Sequence, residues 1–236
     1  MNSNEQKKIY RKIKSRKLVI HHSCEVGVYL PQTSNIIDFI KEGVRASLVE
    51  ADPETVQILR VYFKEYNVTI FPVAVWCQSG TIRLSRAAAS TFVSELESSP
   101  AIVNDKYKVT LDNSFEVSCV VFSEIDDGSI DLLSIDIEGG ERYVIRNLKS
   151  KPQVISVETH GKYYTNPFIK EIKQWMTENG YVIWYQDSSD TVFIKKGIIK
   201  PSVQDKVETL LFQGKLRWKK FKRIFKRGNT TISVRS

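Results

Sequence analysis

Residues 131–141 (DLLSIDIEGGE) join a short apolar run to acidic residues and glycines. Asp136 ends the run, Glu138 stands two residues later, and Glu141 follows two glycines. A short apolar run bounded by turn residues is typical of a buried parallel strand. Ligands of open α/β sheets bind beyond the carboxyl ends of such strands, so Asp136 and Glu138 are candidate site residues. The alternative is a strand-to-helix turn whose acids cap the following helix.

Two more strand ends carry residues suited to a nucleoside. Glu25 and Gly27 follow the first predicted strand, where a glycine lets a ligand approach the backbone. Glu50 ends the second predicted strand, 23 residues after Gly27. An acid in this position can hold both hydroxyls of a ribose. Each feature also occurs at helix caps and solvated strand ends, but their order along the chain favours a nucleoside-binding site.

The elements that must position these residues alternate between strands and helices. Strands are predicted at 17–24, 46–50, 68–75, 131–136 and 154–158, and helices at 31–43, from Asp52-Pro53 onward, at 140–148 and at 167–178. Residues 181–185 and 190–195 predict a closing antiparallel pair. This alternation predicts an α/β fold with a doubly wound, mostly parallel sheet. Between 80 and 121 the pattern weakens, although 81–85 and 107–111 alternate like exposed strands with a loop between them.

The composition limits the class of protein. A chain of 236 residues is long enough for one α/β domain with a sizeable core, and 42% hydrophobic residues is ordinary for a globular protein. No apolar run approaches the roughly 20 residues that span a bilayer, and residues 1–6 lack the apolar segment of a signal peptide. Cys24, Cys77 and Cys119 have no metal-ligand spacing. We therefore expect a cytoplasmic protein with reduced cysteines.

The net charge of +8 is unevenly distributed. Residues 1–17 carry seven Lys and Arg against Glu5, and residues 213–236 carry nine Lys and Arg and no acid. The two ends together carry a net +15, so a total of +8 leaves −7 on residues 18–212. We expect a basic leader at 1–17, a catalytic domain at 18–197 and a basic amphipathic extension at 198–236. We expect the basic ends, and not the acidic body, to bind an anionic partner.

The C-terminal extension has apolar residues at helical spacing. At 100° per residue, Trp218, Phe221, Ile224 and Phe225 fall within an arc of about 120°, and most basic residues between 215 and 227 face the other way. This pattern predicts a helix that lies on an anionic membrane surface, placing the protein at the periphery of the membrane. A disordered solubilising tail or a nucleic-acid patch is the alternative. The leader either joins this surface or forms the first helix of the fold.

Residues 131–141 resemble the D-L-L-K-I-D-V-E-G-x-E motif of the FkbM family of methyltransferases, within the class I enzymes that use S-adenosylmethionine. Other segments are also similar to that family, namely Glu25-Val26-Gly27, residues 48–53, residues 73–75, and Glu158 followed by His160. The resemblance covers about 18–196. The motif at 131–141 is the specific part of it.

The resemblance implies a Rossmann-like domain that transfers a methyl group from S-adenosylmethionine to a hydroxyl, on a sugar of a polysaccharide or of a lipid-linked glycan. It implies that the cofactor is bound by Glu25, Gly27, Glu50, Ala51 and Asp136. Methyl transfer from a sulfonium is an in-line displacement, so catalysis consists mostly of aligning two bound molecules. A base near the acceptor hydroxyl helps to remove its proton.

For the acceptor end we expect Asp136 to orient acceptor or cofactor, His160 to act as the base and Glu138 to bind the substrate. Alternatively, these three residues hold a divalent cation. Two departures from the family pattern are the reshaped loop at 28–34 and Ser134 in place of the usual Lys. Methylation of RNA or protein, with the basic ends as nucleic-acid grips, and a binding module without catalysis are the alternative functions.

Overall fold

The computed structural model describes residues 6–87, 90–94, 99, 102–103, 107, 111–161 and 164–230. Its strands, numbered in chain order, are β1 (His22–Val26), β2 (Arg45–Val49), β3 (Val68–Phe71), β4 (Ala74–Val75), β5 (Gly80–Ala87), β6 (Ser90–Val93), β7 (Ser114–Val120), β8 (Leu132–Ile135), β9 (Val154–Glu158), β10 (Tyr181–Gln186) and β11 (Asp190–Lys195). Its α-helices are α1 (Lys8–Ser15), α2 (Ile37–Lys41), α3 (Pro53–Tyr62), α4 (Glu141–Arg146), α5 (Ile169–Glu178) and α6 (Val203–Thr230).

The larger of the two sheets has the strand order β10-β11-β9-β8-β1-β2-β3. β1 pairs in parallel with both β2 and β8, and β8 pairs in parallel with β9. β11 runs antiparallel to both of its neighbours, β9 and β10. The predicted fold class, a doubly wound and mostly parallel Rossmann-like sheet with an antiparallel closing strand, is confirmed.

Helices cover both faces of the large sheet. Leu132 and Leu133 are adjacent on β8 and point to opposite faces, as successive residues of a strand must. Leu132 packs in a cluster with Phe39 of α2, and Leu133 packs in a separate cluster with Val144 of α4. Because both faces are buried, β8 is apolar at three of its four positions rather than at every second one.

Polar contacts explain where two of the predicted helices begin. α3 begins as predicted, because Asp52 accepts hydrogen bonds from the N–H groups of Glu54 (2.9 Å) and Thr55 (3.4 Å). The helix predicted over 31–43 was wrong in its first half, since α2 spans only Ile37–Lys41. Ser34 and Asn35 just before it bind the Glu25 carboxylate instead of continuing a helix.

The single strand predicted over 68–75 was also wrong, because the chain changes sheets after Phe71. β3 ends there, Pro72 brings no N–H to a ladder, and Val73 N–H turns back to the Phe71 carbonyl at 2.9 Å. β4 then pairs with β7 in a second sheet of order β4-β7-β5-β6.

The second sheet occupies the region in which the sequence pattern weakened. The strand predicted at 81–85 exists within β5, but Ile82 and Leu84 are buried rather than exposed. Of the strand predicted at 107–111, residues 108–110 lie outside the described part of the chain, and the strand that pairs with β5 is Ser114–Val120. Strands that pair across such a distance in sequence cannot be aligned from their local patterns.

Both basic ends begin with elements that pack on the body. Ile9, Tyr10 and Ile13 of α1 are buried in the same cluster as α2. The Asp205 carboxylate on α6 accepts hydrogen bonds from Lys12 Nζ (2.5 Å) and Trp184 Nε1 (3.3 Å). Over the described residues, no helix is long and apolar enough to cross a membrane. The domain boundaries at 17/18 and 197/198 stay predictions.

Candidate active site

A cavity of about 280 Å³ lies at the carboxyl ends of β1, β2 and β8. β1 and β8 are neighbours, yet the chain leaves β1 toward β2 and β3 on one side and leaves β8 toward β9 on the other. Such a reversal of strand order opens a crevice beyond the strand ends, where ligands of doubly wound folds bind. The cavity volume lies near the lower end of the range for small-molecule sites, roughly 300–1,000 Å³.

Gly27 lines this cavity in a conformation that other residues avoid. Its φ is +85°, and its N–H donates to the Val49 carbonyl at 2.9 Å. A Cβ at this position would stand 1.8 Å from the Asp136 carbonyl oxygen. The glycine therefore allows the loops after β1 and β8 to touch, in addition to the ligand access that the sequence predicted.

Glu25 lines the cavity from the end of β1 and holds the first loop in place. Its carboxylate accepts hydrogen bonds from the Ser34 hydroxyl and from the Asn35 N–H, the latter at 2.8 Å. Burial raises the pKa of Glu25 to about 7, although these two donors oppose the shift. The loop at 28–34, which departs from the family pattern, is thus tied to the strand by this acid.

Glu50 lines the cavity at the end of β2, beside Ala51. Val28 N–H donates to its Oε2 at 3.0 Å, and Asp52 N–H donates to its Oε1 at 2.8 Å. Burial raises the pKa of Glu50 to about 7 against these bonds and a third from the Ala51 N–H. A carboxylate has about four acceptor positions, so capacity remains for a ligand hydroxyl.

Asp136 lines the cavity and forms a hydrogen bond with Glu158 at its back. The contact follows from register, because Ile135 of β8 pairs with Val157 of β9 and the next residue of each strand is an acid. Burial and the neighbouring acids raise the pKa values of both carboxyls, for Asp136 chiefly through Asp190 and Glu138. Because neither carboxyl ionises easily beside the other, the pair keeps at least one proton.

The two acids that follow Asp136 have different environments. Glu138 lines the cavity and has a φ of +57°, an uncommon conformation for a residue with a side chain. Glu141 is fully buried and accepts hydrogen bonds from the Gly139 N–H at 3.0 Å and from the Asn166 amide. Glu141, the first residue of α4, therefore holds the turn before that helix, whereas Asp136 and Glu138 face the cavity.

His160 does not belong to the lining of this cavity. Its Nε2 donates to the Asp187 carbonyl at 2.8 Å, and its Nδ1 lies 2.8 Å from the Thr159 hydroxyl. Its ring also contacts Phe212 of α6. The role of His160 as a base stays a prediction. Among the described residues, no group of three or more His, Cys, Asp or Glu is arranged to hold a metal ion.

The small sheet supplies the outer wall of the cavity. Leu84, Phe92 and Val93 contribute apolar surface to the lining. Arg86 fastens this sheet to the start of α3, since its Nε and Nη2 donate to the two Asp52 oxygens at 2.8 and 2.9 Å. A bidentate pair of this kind fixes orientation as well as distance. The wall is therefore held against the acidic strand ends.

A family model described as the methyltransferase FkbM domain matches residues 25–183. This chain belongs to the FkbM methyltransferase family. The resemblance predicted from residues 131–141 is confirmed, and with it the reaction class, methyl transfer. Membership of a methyltransferase family implies the use of S-adenosylmethionine.

Several solved methyltransferases are similar to this FkbM chain. A protein described as a caffeoyl-CoA O-methyltransferase from Staphylococcus aureus is 14% identical, with 79% of this chain and 80% of that chain covered and a TM-score of 0.45. The N-methyltransferase NodS from Bradyrhizobium japonicum is 9% identical, with 82% and 98% covered and a TM-score of 0.40. A comparison with the curated proteins found no match.

Sequence reasoning missed two parts of the FkbM site. Glu158 was noted as a family match without a role, and only the β8–β9 register reveals its contact with Asp136. The apolar wall from the small sheet was missed because the strand predicted at 81–85 was expected to be exposed. The alternating Ile82 and Leu84 were the available signal, since two apolar residues at that spacing predict a strand with one buried face.

Proposed function

We propose that this FkbM protein transfers a methyl group from S-adenosylmethionine to a hydroxyl, on a sugar of a polysaccharide or of a lipid-linked glycan. The observation that carries the proposal is the Asp136–Glu158 pair at the wall of the cavity. A neutral amine already carries the lone pair with which it attacks, whereas a hydroxyl gains from a nearby proton acceptor. The pair supplies such an acceptor.

The residues of the cavity fit the cofactor. Glu50 would accept a hydrogen bond from a ribose hydroxyl, and Phe92 and Leu84 would offer apolar surface to a base. Gly27 has no side chain and Ala51 has only a methyl group, so a ligand can lie across these strand ends. When bound, S-adenosylmethionine would supply a methyl group that an oxygen nucleophile can attack, with S-adenosylhomocysteine as the leaving group.

At the acceptor end, the singly protonated form of the Asp136–Glu158 pair carries one negative charge. A hydroxyl that donates to Asp136 passes its proton to this pair as its oxygen attacks the methyl group, and the Glu158 carboxyl stabilises the newly protonated Asp136 by hydrogen bonding. Glu138 lines the same cavity, where it would orient the acceptor. In this scheme His160 is the competing candidate for the base.

The acidic surroundings favour a sugar over RNA as the acceptor. Asp136 and Glu138 face the cavity, with Glu158 and Asp190 close behind them. Carboxylates accept hydrogen bonds from hydroxyls but repel phosphates, which dominate the affinity of proteins for nucleic acids. The net charge of −7 on residues 18–212 acts in the same direction.

The test has a binding step and a transfer step. The full-length protein should bind S-adenosylmethionine and S-adenosylhomocysteine in a calorimetric titration. It should then transfer labelled methyl groups to a glycan in a panel that also contains RNA and a basic protein, and mass spectrometry should place the methyl on oxygen. Binding without transfer to any acceptor would indicate a binding module, and transfer to RNA or protein alone would overturn the choice of acceptor.

A further inference from the structure

One side of α6 is lined by exposed apolar residues, which we call the α6 stripe: Val203 (79% exposed), Val207 (46%), Leu210 (66%), Leu211 (63%) and Trp218 (59%). At 100° per residue all five fall within an arc of about 100°. Exposed apolar residues are usually scattered singly, so a continuous row over 16 residues of one helix indicates a binding surface.

The opposite side of α6 is fixed to the body. Asp205 accepts hydrogen bonds from Lys12 (2.5 Å) and Arg16 (3.1 Å). Phe212 packs on the His160 ring, and Gln213 donates to Gln186 at 3.0 Å.

These contacts also resist rotation of the helix. Burial alone would raise the pKa of Asp205, but hydrogen bonds from Lys12 and Ser202 lower it to about 2, so the carboxylate keeps its charge and its partners over the physiological range. The helix therefore cannot turn to bury the stripe on its own domain.

The charge of the C-terminal segment, residues 213–236, indicates which kind of partner the α6 stripe binds. Residues 213–236 contain nine Lys and Arg and no acid, whereas residues 18–212 carry a net −7. A second copy of this chain laid parallel along the stripe would bring two such basic segments together at an energetic cost. The phosphates of RNA would pair with the basic residues, but RNA would not bury a row of Val and Leu side chains. An anionic lipid surface satisfies both the charge and the apolar row.

We infer that the α6 stripe is a membrane-contact face, and that the protein lies on anionic bilayers with this face in the interface. The inference extends the sequence prediction, which placed membrane contact only at Trp218, Phe221, Ile224 and Phe225. The side chains of the last three lie outside the described part of the structure. The stripe moves the contact to turns of α6 that are held by the domain, so the domain has a defined orientation on the membrane. This inference is independent of the proposed substrate.

The test compares two variants of the full-length protein that carry the same net charge. The stripe variant carries Val207→Ser, Leu210→Ser and Leu211→Ser. The control variant carries Ile58→Ser and Val61→Ser on α3, where the side chains are exposed to a similar extent, 46% and 78%. All five positions are exposed, so both variants should fold, and circular dichroism with thermal unfolding checks this.

The parent protein and the control variant should co-sediment with vesicles of phosphatidylcholine mixed with phosphatidylglycerol, and not with pure phosphatidylcholine. The stripe variant should partition onto the mixed vesicles at least about tenfold more weakly. Equal binding by the stripe variant would overturn the inference, because charge alone would then explain attachment. Capture of the parent by RNA without vesicle binding, or a stripe-dependent dimer in light scattering, would also overturn it.

Discussion

The Glu50→Gln substitution tests the cofactor end of the site most directly. Glu50 accepts the Val28 N–H at 3.0 Å and the Asp52 N–H at 2.8 Å while lining the cavity. A glutamine replaces one of the two acceptor oxygens by an NH₂ group. In either orientation that group faces a backbone N–H, of Val28 or of Asp52, so the variant loses the charge and one acceptor oxygen without changing the size of the side chain.

The magnitude follows from one hydrogen bond to an ionised group. Such a bond contributes about 1.5–3 kcal/mol, so the dissociation constant for S-adenosylmethionine should rise by about 10- to 100-fold. The pH dependence provides a second measure. Because burial raises the pKa of Glu50 to about 7, the carboxyl is protonated below that pH and is a poorer acceptor. Affinity should therefore increase as the pH rises through about 7, and the cofactor should displace a proton when it binds.

Calorimetric titration at several pH values measures both effects. Glu65→Gln is the matched control, because its side chain is 84% exposed and lies away from the cavity lining. Burial raises the pKa values of Glu25 and Asp136 in the same cavity as well, so a pH slope that remains in Glu50→Gln comes from these other acids. A dissociation constant within about twofold of the parent value, in a variant with unchanged thermal stability, would refute the placement of the ribose at Glu50.

Two further predictions concern the base and the loop contact. Asp136→Asn and Glu158→Gln should each lower kcat by about 100-fold or more, with little change for His160→Gln. A loss of that size in His160→Gln, with normal cofactor binding, would instead identify the histidine as the base. Gly27→Ala should lower the free energy of unfolding in urea by at least about 3 kcal/mol, because its Cβ would stand 1.8 Å from the Asp136 carbonyl oxygen. Gly214→Ala, whose Cβ meets nothing within 4 Å, should cause no loss, and equal stability of the two variants would contradict the argument.

The strands that carry the site were predictable because the apolar residues of each strand indicate by themselves that the strand is buried. The run ending at Ile135 is apolar because both faces of the large sheet are covered, and an acid directly after such a run is visible in any window of the sequence. The same holds for Glu50 after β2. Parallel strands place their carboxyl ends at one edge, so these acids were predicted together without knowledge of any contact between them.

The parts that were not predictable depend on pairing between distant segments. Nothing local to Glu158 indicates that it meets Asp136, because the contact is set by the alignment of Ile135 with Val157. The change of sheet after Phe71 depends on β7, more than 40 residues further along the chain. The α6 stripe was missed for a related reason. Its Val and Leu residues have the spacing of an ordinary core-facing helix, and only the contacts of Asp205 and Phe212 show that the opposite side is the buried one.

The buried acids can be separated into those that serve the fold and those that do not. Burying like charges together lowers stability unless each charge has donors of its own. Glu141 has such donors in the Gly139 N–H and the Asn166 amide, and Asp190 has the hydroxyls of Ser156 and Ser189. Asp136 and Glu158 instead meet each other, which is an unfavourable arrangement for two carboxylates and a favourable one for a carboxylate and a carboxylic acid.

The contact between Asp136 and Glu158 lowers the stability of the fold. It lies at the wall of the cavity that the carboxyl ends of β1, β2 and β8 form. Perturbed carboxyls in a cleft mark functional sites, because selection retains a costly charge arrangement where it performs chemistry. A pair with one proton also has the property that the proposed reaction needs. It holds a negative charge beside the acceptor before the proton arrives, and after the proton arrives it becomes neutral in a setting where burial already favours the neutral form. The environment that raises the pKa values of Asp136 and Glu158 is thus the same one that would make the pair an effective acceptor for the proton of a hydroxyl.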